Sequence, residues 1–475
     1  MNAFVRYNRR LFSVCGLAGL LYGIDVGLIA AALPYIKATC DFNEAQLASV
    51  VAAVLLGGIP GKFLAAFVCE RFGRLSAFRL MAVVFAVAVP LICFSGGLFL
   101  PMFAGRLLQG VGVALVGIAS PLYMAECCDP KDRGKGTGMI QLVLTIGLVV
   151  AALVGYAVTL FFGPADSPDV TVGAKNAAWQ AVFWFSVLPT VALFAGSFGL
   201  KESPRWLFKK GRRDAARLSL LANNDAETAD RVLADLERNA TDEISRDADG
   251  AAVRESLWQR KYLLPFAVAF AVMCFTQATG INSVLNYSVV LFQKAGVAGS
   301  GANLADTAIK LVNFLMTVVA LALVDRKGRK FLLTLGTAGV VVGLALVGLS
   351  FLAIETGVLA VGPLSGWLTV GGFVVFIASY GVGPGVCVWL AVSELMPLRI
   401  RATGMMIAGI GNMTTSWLIA QTFLPWTKAC GESLVFLTLA AVAVGYFLTA
   451  VFLLPETKGR SLEEIERAFA KRGET

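Results

Sequence analysis

The stretch FTQATGINSVLN, residues 275–286, places polar side chains in the middle of an apolar segment that runs from about residue 263 to 292. That segment can cross a bilayer, since a membrane-spanning helix needs about 20 apolar residues. The amides of Gln277, Asn282 and Asn286 are costly in hydrocarbon unless they face a polar cavity or one another. Uncharged amides both donate and accept hydrogen bonds, so the pattern favours a site for a polyol such as a sugar. The alternative is that these amides only hold neighbouring helices together.

The whole chain has the composition of a membrane protein. Of its 475 residues, 57% are hydrophobic and 15% are charged, whereas soluble domains carry about 25% charged residues. We therefore predict an all-α, multi-pass membrane protein. Its twelve transmembrane helices lie at about 11–33, 46–69, 78–99, 101–125, 137–162, 178–200, 263–292, 304–324, 331–353, 365–395, 402–425 and 433–454.

The net charge of +9 is explained by topology, and we predict no nucleic-acid partner. With a cytoplasmic N-terminus, fifteen Lys and Arg residues fall on the cytoplasmic side of the spans. Only five are assigned to outside loops: Lys37, Lys175, Lys294, Lys310 and Lys428. By the positive-inside rule this asymmetry places both termini in the cytoplasm, and we expect the plasma (inner) membrane.

Residue types that carry catalysis or bind metals are scarce. The chain has no histidine, and its nine cysteines show no CxxC spacing. Histidine metal sites, histidine proton relays and Ser-His-Asp triads are therefore excluded, and we predict neither an enzyme nor a cofactor beyond a coupling proton. The first apolar run is too long for a cleavable signal peptide, so none is expected.

The chain divides into two halves around one long polar stretch. We assign residues 1–200 and 262–454 to two six-helix bundles, 201–261 to short cytoplasmic surface helices, and 455–475 to a cytoplasmic tail. The halves repeat each other: the Arg71–Arg74 motif RFGR returns as RKGR at Arg326–Arg329, which is 255 residues later. Such a parallel repeat has its axis along the membrane normal.

The motifs resemble those of the sugar porter family of the major facilitator superfamily over nearly the whole chain. They are LLYGIDVGLIAAALP, ERFGRL, GRLLQGVGVAL, SPLYMAE, ESPRWL, QATGIN, VDRKGRK, GPGVCVW with SEL, and PETKGRSLEEI. The resemblance implies the major facilitator fold, in which two six-helix bundles rock around a central sugar site. We expect a monomer whose partners are a small sugar and the lipid bilayer.

The charged motifs on the cytoplasmic side predict a latch between the bundles. Exposed ion pairs contribute only about 0–1 kcal/mol each, but a network across both halves can bias a conformational equilibrium. The alternative is that these arginines only set topology. The predicted latch residues are Arg71, Arg74, Glu126, Arg133, Glu202, Arg326, Arg329, Glu394, Arg401 and Glu456.

The resemblance also assigns substrate roles. It implies that a flat ring stacks on the sugar while amides bind its hydroxyl groups. The residues at matching positions are Tyr22, Gln141, Gln277, Asn282, Asn313, Trp389 and Asn412, and Thr276 and Asn286 join them in the central stretch.

This chain departs from the family pattern at several of these positions. Thr276 stands in place of a common glutamine, Leu148 in place of a second glutamine, Asn286 in place of a tyrosine and Met413 in place of a tryptophan. The site has fewer amides, and a pentose, deoxysugar or cyclitol stays open beside a hexose. Lys62 stands where relatives have a small residue. We expect it to extend its amine to the cytoplasmic interface; the alternatives are that it pairs with a carboxylate or faces the cavity.

Asp25 and Arg106 are predicted to couple transport to protons. Counting along spans 1 and 4 puts both at nearly the same depth, about 20 Å or more from the cytoplasmic end. Arg106 stays charged and needs a counter-ion in hydrocarbon. Burial favours the protonated acid and Arg106 favours the carboxylate, so separating the pair would switch Asp25 between proton loading and release. The alternative is a purely structural ion pair.

These features favour a proton-coupled monosaccharide symporter that works by alternating access. A passive sugar facilitator of the same fold is the main alternative, and Asp25 separates the two. A sugar sensor would be expected to carry a longer tail than the roughly twenty residues after span 12. A drug exporter would want a more aromatic cavity with fewer amides.

Overall fold

The computed structural model describes residues 3–127, 133–223, 225–248, 260–396 and 400–456. The first half is built from seven helices that form six spans, because the sixth span is interrupted at Phe185 and Ser186. The helices are α1 (Ala3–Thr39), α2 (Glu44–Phe72), α3 (Arg74–Cys93), α4 (Phe99–Cys127), α5 (Arg133–Phe162), α6 (Val172–Trp184) and α7 (Val187–Ser197).

The polar stretch between the halves is helical, and it packs on the first half. It forms α8 (Pro204–Lys209), α9 (Arg213–Asn223) and α10 (Ala226–Ala248). Trp206 donates its indole N–H to the Glu70 carbonyl at the end of α2, at 2.9 Å. Leu207, Leu220 and Leu233 join Trp206 in a small apolar cluster, so these helices form a surface layer with a modest core.

The second half supplies the other six spans. Its helices are α11 (Arg260–Ala278), α12 (Ile281–Lys294), α13 (Ser300–Lys327), α14 (Arg329–Glu355), α15 (Pro363–Val382), α16 (Pro384–Leu395) and α17 (Arg401–Leu448), which continues in a π-helical turn at Thr449–Leu453. Together α11 and α12 make span seven, and α15 and α16 make span ten. Gly431 breaks α17 with φ 82° and ψ 158°, so α17 contains spans eleven and twelve.

Apolar side chains cover the outside of these helices. Phe67 is 60% exposed, Val87 55% and Leu349 53%. Large exposed apolar surfaces are rare on soluble monomers and mark contact with a membrane or a partner. The predicted all-α membrane fold of twelve spans in two bundles is confirmed.

The internal repeat is visible in the turns. Gly73 joins α2 to α3 with φ 98° and ψ 167°, and Gly328 joins α13 to α14 with φ 91° and ψ 160°. A positive φ suits glycine, which has no Cβ. After each turn the arginine, Arg74 or Arg329, donates to a carbonyl five residues earlier, of Cys69 or Val324.

The two halves are joined on the side of the molecule away from these turns. Thr159 at the end of α5 accepts a hydrogen bond from Asn303 of α13 at 3.0 Å, and Tyr35 of α1 steadies Thr159 from within the first half at 3.1 Å. Gln421 of α17 donates to Ser49 of α2 at 2.8 Å. We call this side the far face, and the side of Gly73 and Gly328 the turn face. The far face is closed by bonds between the bundles.

Candidate functional site

Span seven is broken at the centre of the membrane-length segment. Gly280 lies between α11 and α12 with φ 78° and ψ 15°, a left-handed conformation that favours glycine. A Cβ at this position would lie 2.8 Å from a methyl group of Leu439. The break separates Gln277 from Asn282 and allows both side chains to turn to the same neighbour, α17.

A connected cluster of polar side chains forms at this break. Asn282 donates its amide to Gln277 at 2.9 Å and to Ser416 at 2.7 Å. Gln277 donates to Asn412 at 3.4 Å, and Asn412 donates to the Met273 carbonyl at 2.8 Å. We call Gln277, Asn282, Asn412 and Ser416 the amide cluster. Its side chains are able to exchange these bonds for bonds to the hydroxyl groups of a ligand.

Ser416 is not among the residues predicted from the sequence. It follows Asn412 by four residues, which places both side chains on one face of α17. This spacing of four residues could have indicated that Ser416 lies beside Asn412. The role of the amide cluster as a ligand site stays a prediction, because its bonds also tie α11 and α12 to α17.

Thr276 points away from the amide cluster. Its hydroxyl bonds to Tyr446 at 2.9 Å and donates to the Val272 carbonyl at 2.7 Å. Residues 276 and 277 are neighbours on a helix, so their side chains leave in directions about 100° apart. The structure therefore gives Thr276 a packing contact inside the second half.

The other predicted substrate residues are spread over both halves. Asn286 and Asn313 are buried, and Asn286 has a carbonyl oxygen with no hydrogen-bond partner in the described part of the chain. From the first half, Tyr22 and Gln141 are half-buried on α1 and α5. Trp389 on α16 is 47% exposed, so its ring has an open face.

Asp25 and Arg106 are brought together in the first half. The Asp25 carboxylate lies 4.0 Å from the Arg106 guanidinium, and both side chains are almost fully buried. Arg106 donates to Gln109 at 2.8 Å and its guanidinium lies over the Phe183 ring at 5.6 Å. Neither Asp25 oxygen has a hydrogen-bond partner among the described residues. The carboxylate is thus held near a cation without being saturated by donors.

A second buried ion pair lies in the second half. Lys310 and Asp306, one turn apart on α13, form a 2.8 Å ion pair with side-chain exposures of 0% and 1%. Ser288 of α12 donates to Asp306 at 2.6 Å. The ammonium of Lys310 is also 3.4 Å from the Gly27 carbonyl of α1. The assignment of Lys310 to an outside loop was wrong: an acid four residues earlier on the same helix allows the lysine to be buried.

The position of the Lys62 ammonium also differs from the one expected from the sequence. Its ammonium donates to the Gly409 carbonyl of α17 at 3.1 Å. The expected extension to the interface is wrong, since α17 offers a backbone acceptor directly opposite Lys62 in α2. This bond crosses between the two halves of the molecule.

The charged motifs at the turn face form two similar networks, each within one half. Arg74 binds Glu126 at 2.6 Å, and Arg329 lies 3.2 Å from Glu394. Glu202 accepts from the N–H groups of Arg74 and Leu75 at the start of α3, at 2.9 and 3.1 Å. Burial raises the pKa of Glu202, and these N–H groups oppose the rise.

In the second half, Glu456 accepts from the N–H group of Arg329 at 3.2 Å. Glu202 and Glu456 therefore cap the N-termini of α3 and α14, where a negative charge is favourable. Arg71 is exposed at the end of α2 and Arg326 lies near the end of α13. The side chains of Arg133 and Arg401 lie outside the described residues. A latch between the halves stays a prediction.

A family model described as "Sugar (and other) transporter" matches residues 11–469. The glucose transporter GlcP of Staphylococcus epidermidis is 32% identical over 475 residues, covering 98% of this chain and 99% of that protein. The galactose-proton symporter of Escherichia coli K12 is 29% identical, covering 97% of this chain and 94% of the relative.

Solved structures show the same fold. The inward-open conformation of the xylose transporter XylE from E. coli superposes with a TM-score of 0.78 at 23% identity, covering 96% of this chain and 98% of that one. The XylE structure bound to 6-bromo-6-deoxy-D-glucose superposes with a TM-score of 0.75, also at 23% identity, covering 98% of this chain and all of the other.

Proposed function

Because this chain belongs to the family of sugar (and other) transporters, we propose that it is a proton-coupled symporter of a monosaccharide or related polyol. It is a transporter and not an enzyme, since its family members carry solutes across membranes. The amide cluster supports a polyol ligand, because Gln277, Asn282 and Asn412 present both donors and acceptors. The names of the galactose-proton and arabinose-proton symporters among its relatives support coupling to protons.

The observation that carries the proposal is the buried pair of Asp25 and Arg106. Their 4.0 Å separation is longer than the 2.7–2.9 Å of a tight charge-assisted hydrogen bond. A carboxylate with unused acceptor sites beside a permanent cation has two stable forms. It is ionised while Arg106 is near, and it takes up a proton when the cation moves away and burial dominates.

Asp25 of α1 and Arg106 of α4 belong to the same half. In our proposal a shift of α1 against α4 within that half accompanies alternating access and supplies this movement. The far face of the structure is closed by the bond between Asn303 and Thr159 and by the bond between Gln421 and Ser49. Opening the far face requires these bonds to break while the bundles rock. We propose that Asp25 loads its proton when the far face is open and releases it when the turn face is open.

We further propose that the protein is a monomer in the plasma (inner) membrane, with the turn face in the cytoplasm. The support for the orientation is the arginines of the turns after α2 and α13, since positive residues concentrate on the cytoplasmic side.

The test is transport by the protein reconstituted in vesicles. Asp25→Asn keeps the size of the side chain but cannot release a proton. We expect it to retain counterflow exchange of a transported sugar and to lose accumulation driven by a pH gradient. Asp169→Asn, an exposed acid in the loop after α5, is the matched control and should accumulate sugar like the parent. Accumulation by Asp25→Asn against the sugar gradient would place the coupling site elsewhere.

A further inference from the structure

Lys62 lies deep in the seam between the two halves. It comes ten residues before Phe72, the last residue of α2, so it lies about 15 Å from the helix end. Its ammonium bonds to the Gly409 carbonyl on α17 at 3.1 Å. An ammonium has three N–H donors, and this is the one hydrogen bond of Lys62 among the described residues.

The register of the seam places Lys62 next to the amide cluster. Three contacts between α2 and α17 define this register. Ser49 bonds to Gln421, the Met413 side chain fills the space beside Gly58, and Lys62 bonds to Gly409. The numbers of each pair add up to 470 or 471, as for two antiparallel helices in continuous contact. Asn412 and Ser416 follow Gly409 on the same face of α17, three and seven residues on, at rises of about 4.5 and 10 Å.

Lys62 lacks the carboxylate partner that the other buried cations of the described spans have. Asp25 accompanies Arg106, and Asp306 accompanies Lys310. No carboxylate in the described part of the chain forms an ion pair with Lys62. A cation at membrane depth is costly without a counter-ion. An anionic group bound next to the amide cluster would therefore stabilise the Lys62 ammonium.

We propose that Lys62 binds an anionic group of the substrate, and that the preferred substrates are sugar acids, monosaccharides that carry a carboxylate. This inference rests on the proposed function and narrows its substrate class. The amide cluster binds the hydroxyl groups, while the carboxylate lies toward the turn face and pairs with the ammonium. Lys62 has donors to spare for a carboxylate and can keep its bond to Gly409.

The test compares sugars that differ only in charge. Uptake of labelled glucose and glucuronate, and of galactose and galacturonate, is measured in vesicles that contain the full-length protein, its Lys62→Met variant or its Lys62→Arg variant. We expect the parent to prefer each acid over its neutral partner by at least about tenfold, the size of one charge-assisted hydrogen bond. Lys62→Met should lose this preference and still carry the neutral sugars, and Lys62→Arg should keep it.

Equal preference of the parent for acid and neutral sugars, with no change in Lys62→Met, would overturn the assignment. Lys62 would then only join α2 to α17, and uptake of the neutral sugars would leave the proposed function standing. If the parent carries none of the four sugars, then both proposals fail for these substrates. Should Lys62→Met not fold, as judged by its elution and melting temperature, the selectivity of Lys62→Arg and of the parent decides the question.

Discussion

Asn282 joins the two parts of span seven to each other and to α17. It donates to Gln277 on the other side of the Gly280 break and to Ser416 on α17. In our proposal the amide cluster binds the substrate, and a ligand hydroxyl replaces hydrogen bonds that already exist among these side chains. This arrangement fits a transporter, which has to release its substrate as well as bind it.

Removing an amide should therefore weaken substrate binding. We predict that Gln277→Ala or Asn282→Ala lowers affinity by about 1–3 kcal/mol, because each leaves buried polar partners unmatched. Equilibrium binding of a transported sugar to the purified protein measures this loss.

Thr276→Val serves as the matched control, since that hydroxyl bonds to Tyr446 and not to the amide cluster. If both alanine variants bind the sugar as tightly as the parent, the amide cluster only holds helices together. A loss in Thr276→Val as large as theirs would show a general effect of disturbing span seven.

The pair of Asp306 and Lys310 has a prediction of its own. Asp306→Asn leaves the buried Lys310 charge without its partner, and we expect a loss of about 3–5 kcal/mol of stability. Combining Asp306→Asn with Lys310→Met removes both charges and should recover most of that loss. Melting temperatures in detergent measure the effect. A single variant as stable as the parent would mean that the pair is not charged in the folded protein.

The sequence predicted the positions of polar residues within the spans more accurately than it predicted the partners of their side chains. The depths of Asp25 and Arg106 follow from counting along helices, and the two side chains do lie close together. The Lys62 contact depends on the register between α2 and α17, which no local pattern encodes. The pairing of Asp306 with Lys310 was readable from their spacing of four residues, but Lys310 had been assigned to a loop.

Charged side chains fasten the helix junctions at the turn face. The turn between α2 and α3 is fastened by Arg74, which binds Glu126 of α4, and by Glu202, which caps α3. These bonds join elements of one bundle, so they favour movement of α2, α3 and α4 as one unit. The same construction around Gly328 serves the second half.

We predict that Glu126→Gln slows transport without changing equilibrium affinity for sugar, because it weakens the partly buried bond to Arg74 far from the amide cluster. Glu70→Gln is the control: Glu70 pairs with Lys209, and both side chains are more than half exposed, where ion pairs contribute about 0–1 kcal/mol. Initial uptake rates and binding constants separate the two effects. If Glu126→Gln, Glu70→Gln and the parent transport at equal rates, then the ion pair of Glu126 with Arg74 does not affect transport, and Arg74 only sets topology.

Whole elements were more predictable than their interruptions. Apolar windows indicated all twelve spans, and the polar residues of span seven indicated an irregular centre. The breaks at Gly383 and at Phe185 were not anticipated, because a single glycine or a short apolar run is compatible with a continuous helix. Their positions depend on packing against neighbouring helices.

At the scale of the whole molecule, the far face is the closed end. Ser49 and Gln421 are in hydrogen-bond contact across the two halves. We predict that Ser49→Cys combined with Gln421→Cys forms a disulfide under oxidation and stops transport, since the far face can then no longer open. A reductant should restore the rate. Ser49→Cys alone is the control, because the chain has cysteines of its own.

Full transport by the cross-linked protein would contradict a movement that opens the far face between α2 and α17. A block that also appears in Ser49→Cys alone would trace to its cysteine and not to the bridge.

In our proposal each substrate molecule enters together with a proton that Asp25 carries. The direct measurement is simultaneous flux in vesicles with a pH-sensitive dye inside and labelled sugar outside, in the absence of an imposed pH gradient. We predict that adding a transported sugar acidifies the interior of vesicles that hold the parent protein. With Asp25→Asn, the sugar should exchange without acidification. Entry of sugar into vesicles of the parent protein with no movement of protons would contradict the account and indicate a passive facilitator.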